Sequence, residues 1–533
     1  MLTAKPSFER IALNRVTFGA RDTDVASAEQ TGFAGWVEDQ LNAPTGDDAA
    51  LDAFLKTQTM PVSYRKTNPD GTSSTVNEDR GLDYLYADTA ELWGVLTGVN
   101  QGTVEQFEQI RIMQEMAAGH YIRNTHAKYQ LREVLVDFWH NHFNVGRQES
   151  DMVSDMLPLY DRDAIRPHAL GNFRQMLEAV ATSASMLFFL DNAESNKNQP
   201  NENYARELLE LHTLGIGAYL GVSDQTGGSG TQIGGNAPGY TDQDVIEASR
   251  ALSGWTIEFG QRNSSGGYLP STGNFIYNAA QHNTQAQKFL GIGLSGLTAP
   301  MQQGQMVLDI CAYHESTADF VCRKLCVRLF GDAPPDAVVE RAKAAWLANT
   351  QAPDQIALVL RAILLEGDEI GTVQQAKVRR PYERLIALLR TTDSVVNANA
   401  TMKDWVSPMG DGLFVWPEPD GRPDDNTFWL TSVATLGTWN LLLQSTAVKQ
   451  IQTSLYDQTP PEMLTSATQI ADYWIERLIG YMPESAAYTG IMDYVAGPGG
   501  VMAALKTGNA NLIEPAFRKL VGLIACTEEF AYR

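Results

Sequence analysis

Apolar positions along this chain recur mostly at intervals of three and four, the spacing that lays one stripe of a helix against a core. Residues 7–42 carry it as two helices, with Trp36 and Leu41 on the apolar side of the second. From 82 to 143 the pattern meets few breakers and ends in the run E-V-L-V-D-F-W-H-N-H-F-N-V-G. A helix is expected over 151–159, and another, apolar and rich in small residues, over 175–190. Helical spacing returns over 241–255, over 301–367 with a break at Pro334 and Pro335, over 376–397, and through most of 431–533. Residues 62–80 read as a polar loop and 403–428 as a loop of Trp, Pro, Asp and Gly. Only 257–296 alternates aromatic residues with Gly and Ser in the manner of short strands and turns. The expected fold is mostly α: a large helical single domain with a small irregular or β insertion around 221–300. Residues 1–445 form its main body, and 446–533 a helical C-terminal extension packed on it.

Inside that insertion, residues 221–239 hold seven glycines together with Ser, Thr and Gln, the composition of an exposed flap. They neither follow an apolar strand nor open a helix, as a nucleotide-binding loop would. Charge narrows the partners: 63 acidic residues against 40 basic ones, a formal net charge of −23, oppose a phosphate backbone, so no nucleic acid is expected. No run of eighteen apolar residues offers a transmembrane segment, and the first thirty residues lack the apolar stretch of a signal peptide. Compartment stays undetermined. Four cysteines are too few for a disulfide scaffold in a chain of 533 residues, and Cys322 and Cys326, one helical turn apart, read as small buried hydrophobes.

Chemistry is densest at 201–215, N-E-N-Y-A-R-E-L-L-E-L-H-T-L-G, a helix expected to start after Pro200 and stop at Gly215. Asn203, Glu207 and Glu210 share one face through i, i+4 and i+7, and Arg206 can reach Glu202 or Glu210. His212 points elsewhere. In D-F-W-H-N-H-F, Asp137 and His140 share a face, whereas His140 and His142 diverge by about 200° unless the helix ends there. Asp137, His140, His142 and His212 together make a carboxylate and imidazole set of the kind that holds a divalent metal ion in helix bundles. The competing reading is a buried salt-bridge network that only fixes helix packing. His168, His282 and His314, with Asp191, are candidate substrate-binding residues, while His120 and His126 read as solvated. Signatures of a serine-hydrolase elbow, a phosphate loop, a zincin helix or a haem attachment are absent, and no haem, flavin or nucleotide is expected.

Several separated segments form a further pattern: L-N-R-V-T-F-G-A at 13–20, L-R-E-V-L-V-D-F-W-H-N-H-F at 131–143, I-R-P-H-A-L-G-N-F-R at 165–174 and L-D-N at 190–192. The 201–215 helix, Y-T-D-Q-D-V at 240–245, L-S-G-W-T at 252–256, H-E-S-T-A-D-F-V-C-R-K-L at 314–325 and R-R-P-Y-E at 379–383 complete it. From about residue 10 to about 445 the chain resembles the bacterial family known as domain of unknown function 1800. The resemblance implies that relatives are commonly exported and often encoded beside a sulfatase-like partner protein. It departs in lacking a signal peptide, in the Gly-rich stretch before Tyr240, and in Asn283, where an aspartate is expected. Two functions follow. One is a metal-assisted hydrolase or oxidoreductase with a pocket between helices 131–143 and 201–215, where Glu207, Glu210, Arg206 and Asn203 supply catalysis. The other is a non-catalytic surface, assembly or carbohydrate-binding protein whose polar motifs are structural.

Overall fold

The computed structural model of the chain describes residues 2–68, 70–146, 151–221, 238–262, 267–372, 377–445 and 453–533. Helix accounts for 60% of it and strand for 9%, in small pieces, so the fold is mostly α with small β insertions. The two N-terminal helices are Phe8–Val16 and Asp22–Leu41; Thr89–Asn100, Phe107–His126 and Gln130–His142 fill the long helical stretch that follows. Where one helix was expected over 175–190 the chain makes two, Phe173–Ala181 and Ala184–Phe189. The break has a local cause: Ser183 takes an extended conformation and its hydroxyl accepts the Met186 N–H, starting a new helix.

Among the described residues, strands occur as three antiparallel pairs. Trp255–Phe259 pairs with Ser271–Tyr277, and Lys288–Phe289 with Ile292–Gly293, both within the expected insertion. The third pair corrects the reading of 62–80 as a loop: Thr59–Thr67 and Ser73–Gly81 form a hairpin. Its weak apolar signal hides a real alternation, in which Met60 and Val62 face the core and Tyr64 stacks on Phe107 at 4.8 Å. Most of the Gly-rich 221–239 stretch, residues 222–237, lies outside the described residues.

A large apolar core runs from Ala12 to Leu413, and a smaller one gathers around Trp474, Phe517 and Leu520. Helix Pro381–Thr391 joins them, giving Leu385 and Ile386 to the first and Ala387 and Leu388 to the second. Two helices matter most for the site. Phe107–His126 is buried from Arg111 to Thr125 apart from Gln114, and Gln130–His142 is buried throughout except Asn141. Buried Gln130 fastens the turn between them, its amide donating to the carbonyls of Asn124 and Ala127. Among the described residues no helix is long and apolar enough to cross a membrane.

Candidate metal centre

Helices that are buried on every side must pair any charge they carry, and these two carry many. Arg123 binds Asp47 at 2.9 Å, Arg132 binds Glu133 at 2.8 Å, and Arg166 reaches Glu133 at 3.0 Å and Asp161 at 2.8 Å. Three guanidinium groups thus balance three carboxylates. Within this network His140 Nε2 lies 2.8 Å from Asp161 Oδ1, and His120 Nε2 lies 3.3 Å from the same oxygen without forming a hydrogen bond. Among the described residues, His120, His140 and Asp161 are the one group of three metal-ligating side chains whose donor atoms all fall within 4.8 Å of one another.

Each of the three comes from a different element. Close packing seats His120, because a Cβ on neighbouring Gly119 would stand 2.8 Å from Leu85. His140 comes from the last turn of Gln130–His142. Asp161 sits in a π-helical stretch, Tyr160–Ile165, a geometry that adds a residue to the turn and is frequent at functional sites. Pro167 follows, unable to donate and continue the ladder. Phe414 covers both imidazoles, 4.9 Å from the His120 ring and 5.2 Å from that of His140. It holds φ at 58°, a left-handed conformation that costs energy in a bulky residue and clusters at functional sites.

Electrostatics favour the ligand-competent forms. Burial lowers the His120 pKa, with Asp161 opposing it only in part. Burial would raise Asp161, yet Arg166 and then His120 hold it well below the usual carboxylate range. A neutral imidazole and an ionised carboxylate are the states that bind a metal. Arg166 on the second oxygen of Asp161 also fixes the carboxylate plane.

The expected ligand set is distributed over more than one place. His140 joins His120 and Asp161. Asp137 instead meets guanidinium groups, Arg380 at 2.5 Å and Arg328 at 3.0 Å. His142 donates from Nε2 to the His212 carbonyl at 3.1 Å, so these two histidines meet through backbone, and burial lowers His212 to about 3. The 201–215 helix is α-helical only over Glu202–Glu207 and continues as a π stretch, Leu208–His212. Arg206 pairs with Asp242 at 3.0 Å rather than with Glu202 or Glu210. Glu207 and Glu210 are half-buried neighbours, and burial followed by Glu210 raises the Glu207 pKa; Asn203 is exposed.

The remaining candidates lie apart. His168 is half-buried, and burial lowers its pKa. His282 bonds the Ser253 carbonyl through Nδ1 at 2.9 Å, with Nε2 3.0 Å from Gln303 Oε1. His314 caps helix Glu315–Phe330 by accepting the Ser316 N–H, and it lines a cavity of about 700 Å³. Asp191 is exposed, in a left-handed turn. Cys311, Cys322 and Cys326 are buried free thiols.

Sequence reasoning missed His120 and Asp161. The reading of His120 as solvated is overturned: it is 4% exposed. One signal was present, the run Ala117, Ala118 and Gly119 beside it, since small residues mark close helix packing. Asp161, in D-R-D-A-I-R, lies between the expected helix over 151–159 and the 165–174 motif and is not singled out by either.

No curated protein and no solved structure matches the chain. One family model does match, over residues 11–532, which is past the point near 445 where the motif resemblance stops. With nearly its whole length inside that match, the chain belongs to the family described as "Protein of unknown function (DUF1800)".

Proposed function

We propose that the protein is a metal-assisted enzyme whose divalent ion is held by His120, His140 and Asp161. The observation that carries this reading is the convergence of three buried donor atoms within 4.8 Å, from three separate elements. Donors each about 2.0–2.2 Å from one ion stand on the order of 3–4 Å apart, so the group needs little movement to close on a metal. His120 Nε2, buried 3.3 Å from Asp161 Oδ1 without good hydrogen-bond geometry, would gain a partner from such an ion. Two imidazoles and one carboxylate leave coordination positions open, the arrangement of reactive rather than structural sites. A bound divalent ion would supply an acidified water or polarise a substrate oxygen. Within the chain, Arg166 keeps the Asp161 carboxylate oriented, and Phe414 shields the imidazoles from bulk water.

A second reading has its own support. The three carboxylates of the network already match three guanidinium groups, so the cluster is satisfied electrostatically as a purely structural core. Elemental analysis of protein purified without chelators separates the two. About one equivalent of zinc, manganese or iron per chain is expected, lost in a His120→Ala, His140→Ala double variant that keeps its circular dichroism. Zinc or manganese would point to hydrolysis and iron to oxidation. A metal-free wild-type protein that also fails to take up added zinc, manganese or iron(II) would leave the structural core as the better account.

A further inference from the structure

Another side of helix Gln130–His142 faces a second feature, separate from the metal centre. A cavity of about 250 Å³ opens between this helix, helix Glu315–Phe330 and the 422–424 segment. Aromatic rings form much of its wall: Phe138 stacks on His142 at 6.0 Å and 8°, and Phe320 lies 6.2 Å from the same imidazole. Val327 and Pro423 extend the apolar lining.

Into this space reaches Lys324. Among the described residues its ammonium has no ion pair and no hydrogen bond; the Phe320 ring lies 5.3 Å from Nζ. Other cations beside the cavity are already engaged, Arg323 most loosely, 3.9 Å from Asp319. Asp137 takes Arg380 and Arg328, Asp411 takes Arg422 at 3.4 Å, and Asp424 takes Lys377 at 2.7 Å. Lys324 is the charge left over, in a chain whose formal net charge is −23. Burial pushes its pKa down to about 8, with Asp424 and Asp420 opposing, which is the response of a cation that lacks a partner.

We propose that this cavity binds a small, flat organic monoanion, with its carboxylate on Lys324 Nζ and its apolar body against Phe138, His142 and Phe320. One unpaired cation calls for a single negative charge, because a dianion would need a second free donor. The volume lies below the roughly 300–1,000 Å³ of pockets for drug-sized molecules, which restricts the ligand to one ring or a short chain. An uncharged ligand would cover the half-buried ammonium without pairing it, so charge and shape are both selected.

Benzoate serves as the probe and benzamide as its uncharged counterpart, each titrated into the full chain at pH 7 by calorimetry. Benzoate is expected to bind saturably and at least about tenfold more tightly than benzamide. Lys324→Met should weaken benzoate by about tenfold or more, Lys324→Arg should retain most of the binding, and Val327→Trp, which fills the cavity but keeps the lysine, should abolish it. Circular dichroism checks that each variant is folded. Absence of saturable benzoate binding by the wild-type protein overturns the proposal, as does equal binding by Lys324→Met or by Val327→Trp. Metal content is unaffected in either outcome, so this test and that of the metal centre fail separately.

Discussion

Arg166→Met probes how the polar core around Asp161 is held. Arg166 bridges two carboxylates, 2.8 Å from Asp161 and 3.0 Å from Glu133, and both acids are buried. Methionine keeps most of the length of the side chain, so the substitution removes charge more than volume. Stranding one member of a buried pair costs ~3–5 kcal/mol, because the remaining charge stays desolvated. Glu133 keeps Arg132 at 2.8 Å, whereas Asp161 keeps the imidazoles of His140 at 2.8 Å and His120 at 3.3 Å but no guanidinium closer than Arg123 at 4.0 Å. The cost therefore falls mainly on Asp161, and the lower end of that range, ~3 kcal/mol, is expected.

A double-mutant cycle makes this exacting. Asp161→Asn in the Arg166→Met background removes the stranded charge and returns the network to two guanidinium groups against two carboxylates. The double variant should then lie within ~1 kcal/mol of wild type, ~2 kcal/mol less destabilised than Arg166→Met alone. Urea midpoints followed by tryptophan fluorescence give the comparison, restricted to variants whose transition slope is unchanged, because a chain this long need not unfold in two states. The pH dependence supplies a second check. Asp161 and Glu133 both titrate below their unfolded values in the folded protein, Glu133 at about 2, so their stabilisation is present above the unfolded pKa and is lost as the pH falls through the folded one. The cost of Arg166→Met should accordingly be full near pH 7 and shrink below about pH 4. Additive single substitutions, with no rescue in the double variant, would refute the idea of a charge-balanced core.

Two further expectations concern the rest of the molecule. Burial raises Glu115 to about 8, so the folded protein holds a proton there that the unfolded chain releases near its ordinary carboxylate pKa. Its stabilisation is present below that value and is lost as the pH rises toward 8, by at most ~5 kcal/mol; Glu115→Gln should flatten this slope in melting temperatures measured from pH 4.5 to 9. An unchanged slope would assign the dependence to other groups. In the second core, Trp474 is fully buried and donates to Thr459 Oγ1 at 3.1 Å. Trp474→Ala should cost ~3–5 kcal/mol, read as a lowered denaturation midpoint, while metal content stays at the wild-type level.

Much of the helical order was legible because it rests on periodicity, a property of the chain alone. Pro200 and Gly215 bounded their segment correctly, and Gly215 adopts φ of 84°. What lay between them was less legible. The π stretch after Glu207 rotates later side chains away from the faces an ideal helix assigns, and Arg206, just before it, finds Asp242 from outside the helix. The hairpin at 59–81 escaped because its exposed positions are polar and only Met60 and Val62 are buried on its first strand. Buried charge misled most. His120 reads as solvated on a polar helical stretch, yet Arg111, Glu115, His120 and Arg123 are paired or packed inside Phe107–His126, where a binary polar pattern no longer reports exposure.

The D-F-W-H-N-H-F run shows why convergence could not be read from spacing. Asp137, His140, Asn141 and His142 lie within two turns, and each is claimed by a different part of the fold: arginines from 328 and 380, Asp161 from the π stretch, the Arg422 backbone, and the His212 carbonyl. Spacing along one helix says which side chains could meet a common partner, but the partners arrive from segments up to 281 residues away. The dense motif thus marks a helix buried on all sides, with a candidate metal centre against one face and the Lys324 cavity against another. Its polar residues are numerous because several neighbours, rather than one ligand, have to be satisfied.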